Sequence, residues 1–356
     1  MRLWLPFILI ITLFSTCKKR PPISENGSKT IPEYKWNRVP SSEIYLGDRV
    51  VLAMNTFDSL FYIQTENLFY VLDTNFILKK AYGSGPKHKN DFLTFPKISQ
   101  THTIFSDKLA FWIKDNKSPV NQAYSPFLHI YRYDQKAVEM LYTAVKDNGI
   151  FQTLHASRHT PDSVSYHINT YKMLVPFTAS PPVELLSTFG INTYKDLNPT
   201  LYGMHLFNGV SFCSIQGFTY RIENDVLTDT LKYDLRQIVE KDGLLYATSQ
   251  WVVYRNPTIH RGHGLVVSKD KGKSWSYIAT GSSFAHGYLR SINDKLFIFT
   301  GNWVAHVDLT SGLVKKLNTE RLDAYIRDIA KVGSKIAIGT DAGVYYMDWN
   351  KFLSSY

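Results

Sequence analysis

Four side chains that could bind an anion or a metal ion lie within nine residues of one another: Arg255, His260, Arg261 and His263. An arginine guanidinium holds a carboxylate or a phosphate through two parallel hydrogen bonds, so this segment is a candidate contact for an acidic ligand or a glycan. The spacing of His260 and His263 also suits a metal ion, but the sequence offers no identifiable third ligand, and we predict no metal and no cofactor. A solvated basic loop is the alternative that involves no ligand.

Two further residues, His286 and Trp303, are candidates for the same binding surface. Trp303 lies in a short polar connection, where its ring could stack on a sugar or an aromatic ligand, or pack against a neighbouring element. The sequence has no assignable pair of catalytic carboxylates, no glycine-rich phosphate loop, no Gly-x-Ser-x-Gly elbow and no His-Glu-x-x-His motif. These absences favour binding over catalysis.

The elements that must position these side chains are indicated by a polar turn that follows them, Ser268-Lys-Asp270-Lys-Gly272-Lys-Ser-Trp275. Ser268 and Asp270 can hydrogen-bond the backbone of their own turn. Gly272 can adopt the positive φ that a tight hairpin requires. Trp275 begins the returning strand and can bury a large surface.

This turn resembles the Asp-box, a hairpin turn of β-propellers such as sialidases and photosystem assembly factors. The resemblance implies that Ser268, Asp270, Gly272 and Trp275 are structural. Sialidases also share an Arg-Ile-Pro-type motif, several Asp-boxes, an arginine triad and a Tyr–Glu pair. Arg38-Val39-Pro40 is similar to the first motif, but only one clean Asp-box is present and no Tyr–Glu pair can be assigned. A sialidase-like glycoside hydrolase is therefore the second hypothesis, after a non-catalytic binding or assembly module.

A polar turn followed by a β-rich run recurs seven times along the chain. The turns begin at Asp58, Asp107, Asp162, Asn208, Asp242, Asn293 and Gly333. The first and last lie 275 residues apart, a mean spacing of about 46 residues, which is the length of a four-stranded propeller blade. We therefore predict an all-β fold, a β-propeller of seven four-stranded blades, with six blades as the alternative.

The last repeat contains only three strand-like runs before the chain ends. Because an unpaired sheet edge would stay open, we predict that Glu33–Val39 adds the missing outer strand and closes the ring. In a blade with strands a to d from the axis outward, the a–b and c–d turns share one face, and the b–c and d–a connections share the other. We expect the seven turns on the first face, and a b–c loop at 255–263 on the second, where binding loops concentrate.

The N-terminus has the pattern of an export signal: Arg2, a short apolar run, small polar residues, and then Cys17. The cysteine directly after the run resembles a bacterial lipobox, which implies lipidation of Cys17; a plain signal peptide and an uncleaved anchor are the alternatives. We predict a signal peptide at 1–16, a lipidated cysteine and tether at 17–32, and a single propeller domain at 33–356. The protein would be a lipoprotein of the cell envelope, held at the outer membrane on its periplasmic or surface side.

The amino-acid composition limits the kinds of partner that the protein could bind. The formal charge is +10, but basic residues are scattered among acidic ones, so we predict no nucleic-acid partner. Besides the membrane, we expect a glycan, a peptide or a protein partner. Cys17 and Cys213 are the only cysteines, so lipidation of Cys17 excludes an intrachain disulfide, and Cys213, within a strand pattern, is predicted to be a buried thiol.

Overall fold

The computed structural model describes residues 35–40, 44, 50–83, 97–98, 102–106, 111–116, 121–124, 138–145, 150–160, 163–173, 183–194, 201–215, 217–232, 234–255, 258–320, 322 and 324–355. They belong to one compact unit, Tyr34–Tyr356, and the second unit, Met1–Glu33, lies outside the described residues. The predicted signal peptide, Cys17 and tether are therefore not described. In some strands, including 251–255 and 258–261, the backbone alone is described.

The chain forms seven antiparallel four-stranded sheets, which we number as blades 1 to 7. Blade 1 contains β2 (Val51–Phe57), β3 (Leu60–Thr65), β4 (Leu68–Asp73) and β5 (Leu78–Gly83). Blade 2 contains β6 (Lys97–Ile98), β7 (His102–Ser106), β8 (Phe111–Asp115) and β9 (Asn121–Tyr124). Blade 3 contains β10 (Val138–Val145), β11 (Ile150–Thr160), β12 (Ser163–Met173) and β13 (Val183–Tyr194).

The remaining blades follow the same order. Blade 4 contains β14 (Leu201–Phe207), β15 (Val210–Ile215), β16 (Phe218–Glu223) and β17 (Val226–Leu231). Blade 5 contains β18 (Asp234–Lys241), β19 (Leu244–Arg255), β20 (Thr258–Ser268) and β21 (Ser276–Thr280). Blade 6 contains β22 (Tyr288–Ile292), β23 (Lys295–Phe299), β24 (Val304–Val307) and β25 (Val314–Lys316). Blade 7 contains β26 (Ile326–Val332), β27 (Lys335–Thr340), β28 (Gly343–Asp348) and β1 (Asn37–Arg38). Among the described residues, a 3-10 turn at Ser282–Phe284 and a short helix, α1, at Trp349–Leu353 also follow strands.

The blades form a closed ring, because the first strand of each blade contacts the first strand of the next and β2 contacts β26. The outer strand of blade 7 comes from the N-terminal side of the chain: Asn37 pairs with Tyr346 and Arg38 with Tyr345. The Val39 N–H donates to the Val344 carbonyl at 2.9 Å. The predicted propeller, its seven blades and its closing strand within Glu33–Val39 are confirmed, and the six-bladed alternative is wrong.

The core lies between successive blades, where the alternating apolar side chains of each strand meet the neighbouring sheet. Between blades 4 and 5, Phe212 packs with Leu235 and Ala247. Between blades 5 and 6, Leu265 packs with Ile298. Cys213 is buried in blade 4, as predicted.

Five of the seven predicted turns lie between the first and second strands of their blades. Positive φ angles recur in these turns, as hairpins of this handedness require, at Asp58, Ser59, Asn208, Gly209, Asp242, Gly243, Asn293 and Gly333. Asp107 and Asp162 lie outside the described residues, and their positions fall between the second and third strands of blades 2 and 3. The prediction that these two turns join the first and second strands was wrong. Polar turn residues suit a hairpin between the second and third strands equally well.

The Ser268–Trp275 turn joins the third and fourth strands of blade 5 through its own side chains. The Ser268 Oγ accepts from the Gly272 N–H at 2.7 Å, and the Asp270 Oδ1 accepts from the Ser274 N–H at 2.9 Å. Partial burial opposes ionisation of Asp270, but hydrogen bonds from Ser274 and Ser268 outweigh it and hold the pKa at about 2. The ionised Asp270 carboxylate therefore accepts hydrogen bonds that hold the turn together.

The same turn docks on blade 4. The Trp275 ring meets the Phe212 ring edge-on with 6.1 Å between centroids. The buried Arg221 of blade 4 donates from Nε to the Lys271 carbonyl at 3.0 Å, and its Nη2 pairs with Glu223 at 2.8 Å. These contacts fasten blade 5 to blade 4 at the face that carries the a–b and c–d turns, here called the lower face.

Candidate functional site

The opposite face, here called the upper face, carries the b–c and d–a connections. In blade 5 the segment predicted to be a loop at 255–263 is instead a hairpin, because β19 and β20 pair from Leu245–Ser268 to Arg255–Thr258. Only residues 256–257 connect the two strands. The side chains of Arg255, His260 and Arg261 lie outside the described part of the chain, so the structure leaves their predicted role untested.

Three polar side chains form a row at the upper end of blade 5. Asp234 pairs with Gln250, and Gln250 pairs with His263, across three adjacent strands. Because directly paired residues point to the same side of a sheet, Gln250 and His263 share one face of the blade, whereas the Asp234 carboxylate accepts from the Gly217 N–H of blade 4. That face is turned toward blade 6, since Thr248, two residues from Gln250, reaches the Gly287 carbonyl.

Arg236 links this row to the connection between blades 5 and 6. Its Nη1 donates to the His286 Nδ1 at 3.3 Å, and its Nη2 donates to the Gln250 Oε1. The His263 and His286 rings lie 6.4 Å apart. The structure therefore brings together two of the predicted candidates, His263 and His286, around an arginine that the sequence analysis missed. We call Asp234, Arg236, Gln250, His263 and His286 the blade 5–6 cluster.

A β-bulge directs Arg236. The register between β18 and β19 shifts between Leu235 and Gln237, which leaves Arg236 as the extra residue. Bulges of this kind re-aim a side chain next to binding sites. The backbone of Arg236 lies close to Gly203 of blade 4. A Cβ added at Gly203 would lie 3.0 Å from the Arg236 carbonyl oxygen, so the absence of a side chain there makes room for Arg236.

His286 is held in an unusual backbone conformation. Its φ is +58°, which few residues other than glycine adopt. A Cβ at the next residue, Gly287, would lie 2.4 Å from the Ile298 Cδ1, so a larger residue there would have to displace that side chain. The His286 ring is exposed, and its Nδ1 accepts from Arg236, so its Nε2 is the nitrogen that can donate to a ligand.

The Asp234 Oδ1 and the His263 Nδ1, both in the cluster, are buried without a hydrogen-bond partner among the described residues. Burial raises the pKa of Asp234 to about 6, against the opposing effects of Arg236 and the Gly217 N–H. Burial, then Arg236 and His286, lower the pKa of His263. Buried polar atoms normally have a hydrogen-bond partner. Groups whose pKa is shifted in this way are concentrated at functional sites.

Replacing Asp234 with asparagine is expected to stabilise the protein near neutral pH. Because the folded pKa, about 6, exceeds the unfolded value of 3.8, folding opposes ionisation. This penalty is fully present above pH 6 and disappears as the pH falls below about 4. Chemical denaturation should show Asp234→Asn about 1–3 kcal/mol more stable than wild type at pH 7.5 and equal to it at pH 3.5.

Asp225→Asn, in an exposed turn of blade 4, is the control and should change stability little at either pH. A destabilised Asp234→Asn at pH 7.5 would mean that the carboxylate is held by hydrogen bonds that stabilise its charge.

A sequence signal for the missed arginine exists in the first strands of three consecutive blades. Each contains Leu or Ile, then Arg, any residue, and Ile: residues 235–238, 289–292 and 326–329. The arginines of this repeat are Arg236, Arg290 and Arg327. They lie at the upper end of blades 5, 6 and 7, beside the ring axis.

The three arginines have different surroundings. Arg290 donates to both oxygens of Asp328, at 2.8 and 2.6 Å. Burial opposes the charge of Arg290, but Asp328 more than compensates and raises the pKa of Arg290. Arg327 instead lies over the Tyr325 ring, 4.7 Å from its centroid. The charge of Arg290 is thus neutralised by Asp328 of blade 7, whereas Arg327 contacts an aromatic side chain.

Trp303, the remaining predicted candidate, lies between the second and third strands of blade 6. It is half-buried and packs at the edge of the apolar cluster between blades 5 and 6. The Lys316 Nζ lies 5.3 Å from its ring centroid. The structure records no contact between Trp303 and the blade 5–6 cluster among the described residues.

Known proteins are similar to this chain in fold only. No family model and no curated protein matches the sequence. The Neurospora crassa Pan2 WD40 domain is similar with a TM-score of 0.55 and 9% identity, over 87% of this chain and 94% of that one. A catalytically inactive variant of virginiamycin B lyase from Staphylococcus aureus with quinupristin is similar with a TM-score of 0.54 and 9% identity, over 88% and 97%.

A third similar structure is the extracellular domain of BT4673 from B. thetaiotaomicron, with a TM-score of 0.51 and 10% identity. The match covers 88% of this chain but only 40% of that domain. These likenesses support the propeller architecture, and the Asp-box resemblance stays a prediction. In the described part of the chain, no three acidic, histidine or cysteine side chains are grouped as metal ligands. No helix there has the length and apolarity of a membrane span.

Proposed function

We propose that this protein is a non-catalytic binding module, which holds an acidic group of a glycan, a peptide or a protein partner at the blade 5–6 cluster. The observation that carries the proposal is the convergence of Arg236, His286 and His263 on the upper face, where the Asp234 Oδ1 and the His263 Nδ1 are buried without a hydrogen-bond partner in the described part of the chain. A guanidinium and an outward imidazole N–H attract an acidic group. Asp234 and Gln250 add acceptors for hydroxyl or amide donors, which favours a ligand that offers both kinds of group.

The ligand test uses His286→Gly, because glycine suits the positive φ at this position and the variant removes only the imidazole. We expect equal or slightly greater stability, by up to about 1 kcal/mol, together with roughly tenfold weaker binding. Glycan and peptide arrays identify a ligand, and calorimetry at low and high salt measures its affinity. The affinity should fall as salt rises, since exposed charges are screened.

Asn293→Gly is the matched control. Asn293 also has a positive φ, 54°, but lies in a lower-face turn of blade 6, so the change should leave binding unaltered. A ligand that binds His286→Gly as tightly as wild type would reject the cluster as its site. The double variant His260→Ala, Arg261→Ala measures the contribution of the blade 5 hairpin separately.

We also propose that the protein is an exported lipoprotein of the outer membrane. The support is the N-terminal pattern that ends at Cys17 and the direction of the closing strand. Because β1 is antiparallel to β28, it runs from the lower face toward the upper face. The closing strand β1 therefore begins at the lower face, opposite the blade 5–6 cluster. One similar structure is itself an extracellular domain of a bacterial protein.

Replacing Cys17 with serine is expected to move the exported protein from the detergent phase to the aqueous phase of a Triton X-114 partition. The reason is the loss of acyl chains, each buried methylene of which contributes about 0.8 kcal/mol. Cys213→Ala, which alters a buried thiol, should leave the protein in the detergent phase. Wild type and Cys17→Ser in the same phase would exclude lipidation at this residue.

A sialidase-like glycoside hydrolase is the second candidate. One observation favours it: the pKa of Asp234, about 6, suits a general acid. Arg38, in the sialidase-like Arg-Val-Pro motif, lies on the closing strand of blade 7 and donates to the Ala342 carbonyl at 2.5 Å. Hydrolysis of a fluorogenic glycoside panel, lost in Asp234→Asn, would establish this activity; the binding proposal expects no turnover.

A further inference from the structure

We propose that a second anion subsite lies at Arg327, between blades 6 and 7, and that the ligand is an acidic oligosaccharide whose acidic sugars occupy both this subsite and the blade 5–6 cluster. This inference rests on the proposed function and names the ligand class of the same face.

Arg327 repeats the local structure of Arg236. The register between β26 and β27 shifts between Ile326 and Asp328, which leaves Arg327 as the extra residue of a bulge, as in blade 5. Both bulges lie at the upper end of the first strand of their blade. Two arginines in equivalent positions are therefore re-aimed in the same way at the same face.

Arg327 has no carboxylate within ion-pair distance among the described residues, in contrast with Arg290. Its Nε is buried without a hydrogen-bond partner there, an arrangement that destabilises the protein by about 1–3 kcal/mol if nothing binds it. The contact with the Tyr325 ring restricts the guanidinium, and a restricted guanidinium loses less entropy when it binds an oxyanion. A carboxylate with two oxygens is the partner that this geometry fits.

Tyr325 is itself held firmly. Its ring lies against Gly301, where an added Cβ would be 1.9 Å from the Tyr325 Cε2. Its N–H donates to the Asp341 Oδ1 at 2.9 Å, and its carbonyl accepts from the Asp341 N–H at 3.1 Å. Tyr325 is 46% exposed, so it can contact a ligand beside Arg327.

The two subsites are adjacent. His286 belongs to the blade 5–6 cluster, and Tyr288, two residues later, lies close enough to Tyr325 and Arg327 to interact with both electrostatically. Two residues of extended chain span at most about 7 Å, so a single short ligand can reach both. Tyr288 is half-buried and stacks on Phe299 with 5.5 Å between centroids.

An acidic sugar chain supplies all the groups that this row of side chains would bind. Its carboxylates suit Arg236 and Arg327, its hydroxyls can donate to Asp234 and Gln250, and its ring faces suit an exposed tyrosine edge. An acidic peptide offers carboxylates but no comparable set of hydroxyl donors. The buried Asp234 carboxylate near Arg236 would repel a ligand that places a negative charge at every contact.

The experiment is calorimetry with galacturonic acid, its trimer, neutral maltotriose and a tri-glutamate peptide. We expect the galacturonate trimer to bind at least tenfold more tightly than the monomer, and maltotriose and the peptide to bind at least tenfold more weakly than the trimer. Arg327→Gln should weaken the trimer about tenfold and leave the monomer unchanged. Arg327→Lys keeps the charge but loses the planar fork, and should behave like Arg327→Gln.

The outcomes separate the two proposals. Equal trimer affinity in wild type, Arg327→Gln and Arg327→Lys, with His286→Gly still impaired, overturns the second subsite and leaves the proposed function standing. Tri-glutamate binding as tight as the trimer overturns the sugar as ligand class. Binding by none of the galacturonates overturns the acidic oligosaccharide and the second subsite, and the array ligand tested with His286→Gly then decides the proposed function. Thermal unfolding of each variant confirms that losses of affinity arise in folded protein.

Discussion

Replacing Gly272 with alanine is expected to destabilise the protein by about 2–5 kcal/mol. Two effects add. The φ of +80° is a conformation that costs an L-residue about 1–2 kcal/mol. The new methyl would also lie 2.2 Å from the Phe212 Cζ, so the blade 4–5 contact must open, an overpacking that costs about 1–3 kcal/mol. Urea denaturation followed by tryptophan fluorescence measures the change.

Gly243→Ala provides the matched control in the same blade. Gly243 has a similar φ, +74°, but no atom lies within 4 Å of an added Cβ. Its replacement should therefore cost only the conformational part, about 1–2 kcal/mol. Adding Phe212→Leu to Gly272→Ala should recover part of the loss, because it removes the atom that clashes. Equal effects of Gly272→Ala and Gly243→Ala would show that the turn does not dock on blade 4.

Replacing Asp328 with alanine is expected to destabilise the protein by about 2–4 kcal/mol. The carboxylate is buried and joins three blades, since it accepts two bonds from Arg290 of blade 6 and one from the Met54 N–H of blade 1 at 2.7 Å. Its removal leaves a guanidinium and an amide unpaired near the ring axis. Loss of one partner of a buried pair costs about 3–5 kcal/mol, and the 38% exposure of Arg290 reduces this.

A double-mutant cycle with Arg290→Gln should give a coupling energy above about 1 kcal/mol. Asp294→Ala is the control, because Asp294 is largely exposed and its pair with Lys295 spans 3.7 Å; its loss should cost under about 1 kcal/mol. Additive effects of the Arg290 and Asp328 changes would contradict a bond between blades 6 and 7 at this point.

The fold could be predicted because its signals are local and repeated. Each blade needs a tight polar turn and short apolar strands, and the spacing of the turns sets the number of blades. The closing strand followed from counting strands in the last repeat. The errors at Asp107 and Asp162 have the same source, since turn chemistry identifies a hairpin without saying which pair of strands it joins.

The candidate site was only partly predictable. Arg255, Asn256 and Pro257 have the composition of a loop, yet β19 and β20 pair on either side of residues 256–257, because cross-strand bonds outweigh local preference. Arg236 was missed because a lone arginine in a strand usually marks a solvated position. Arg236 is directed by a β-bulge and contacts His286 in the connection to blade 6. Neither feature can be read from the sequence of one strand. The recurrence at Arg290 and Arg327 was the available signal.

A crystal structure of residues 33–356 with galacturonate trimer would test the proposed binding face. We expect electron density for the sugar across the upper face of blades 5 to 7, with one carboxylate at Arg236 and His286 and another at Arg327. Sugar density on the lower face, or on blades 1 to 4, would contradict it.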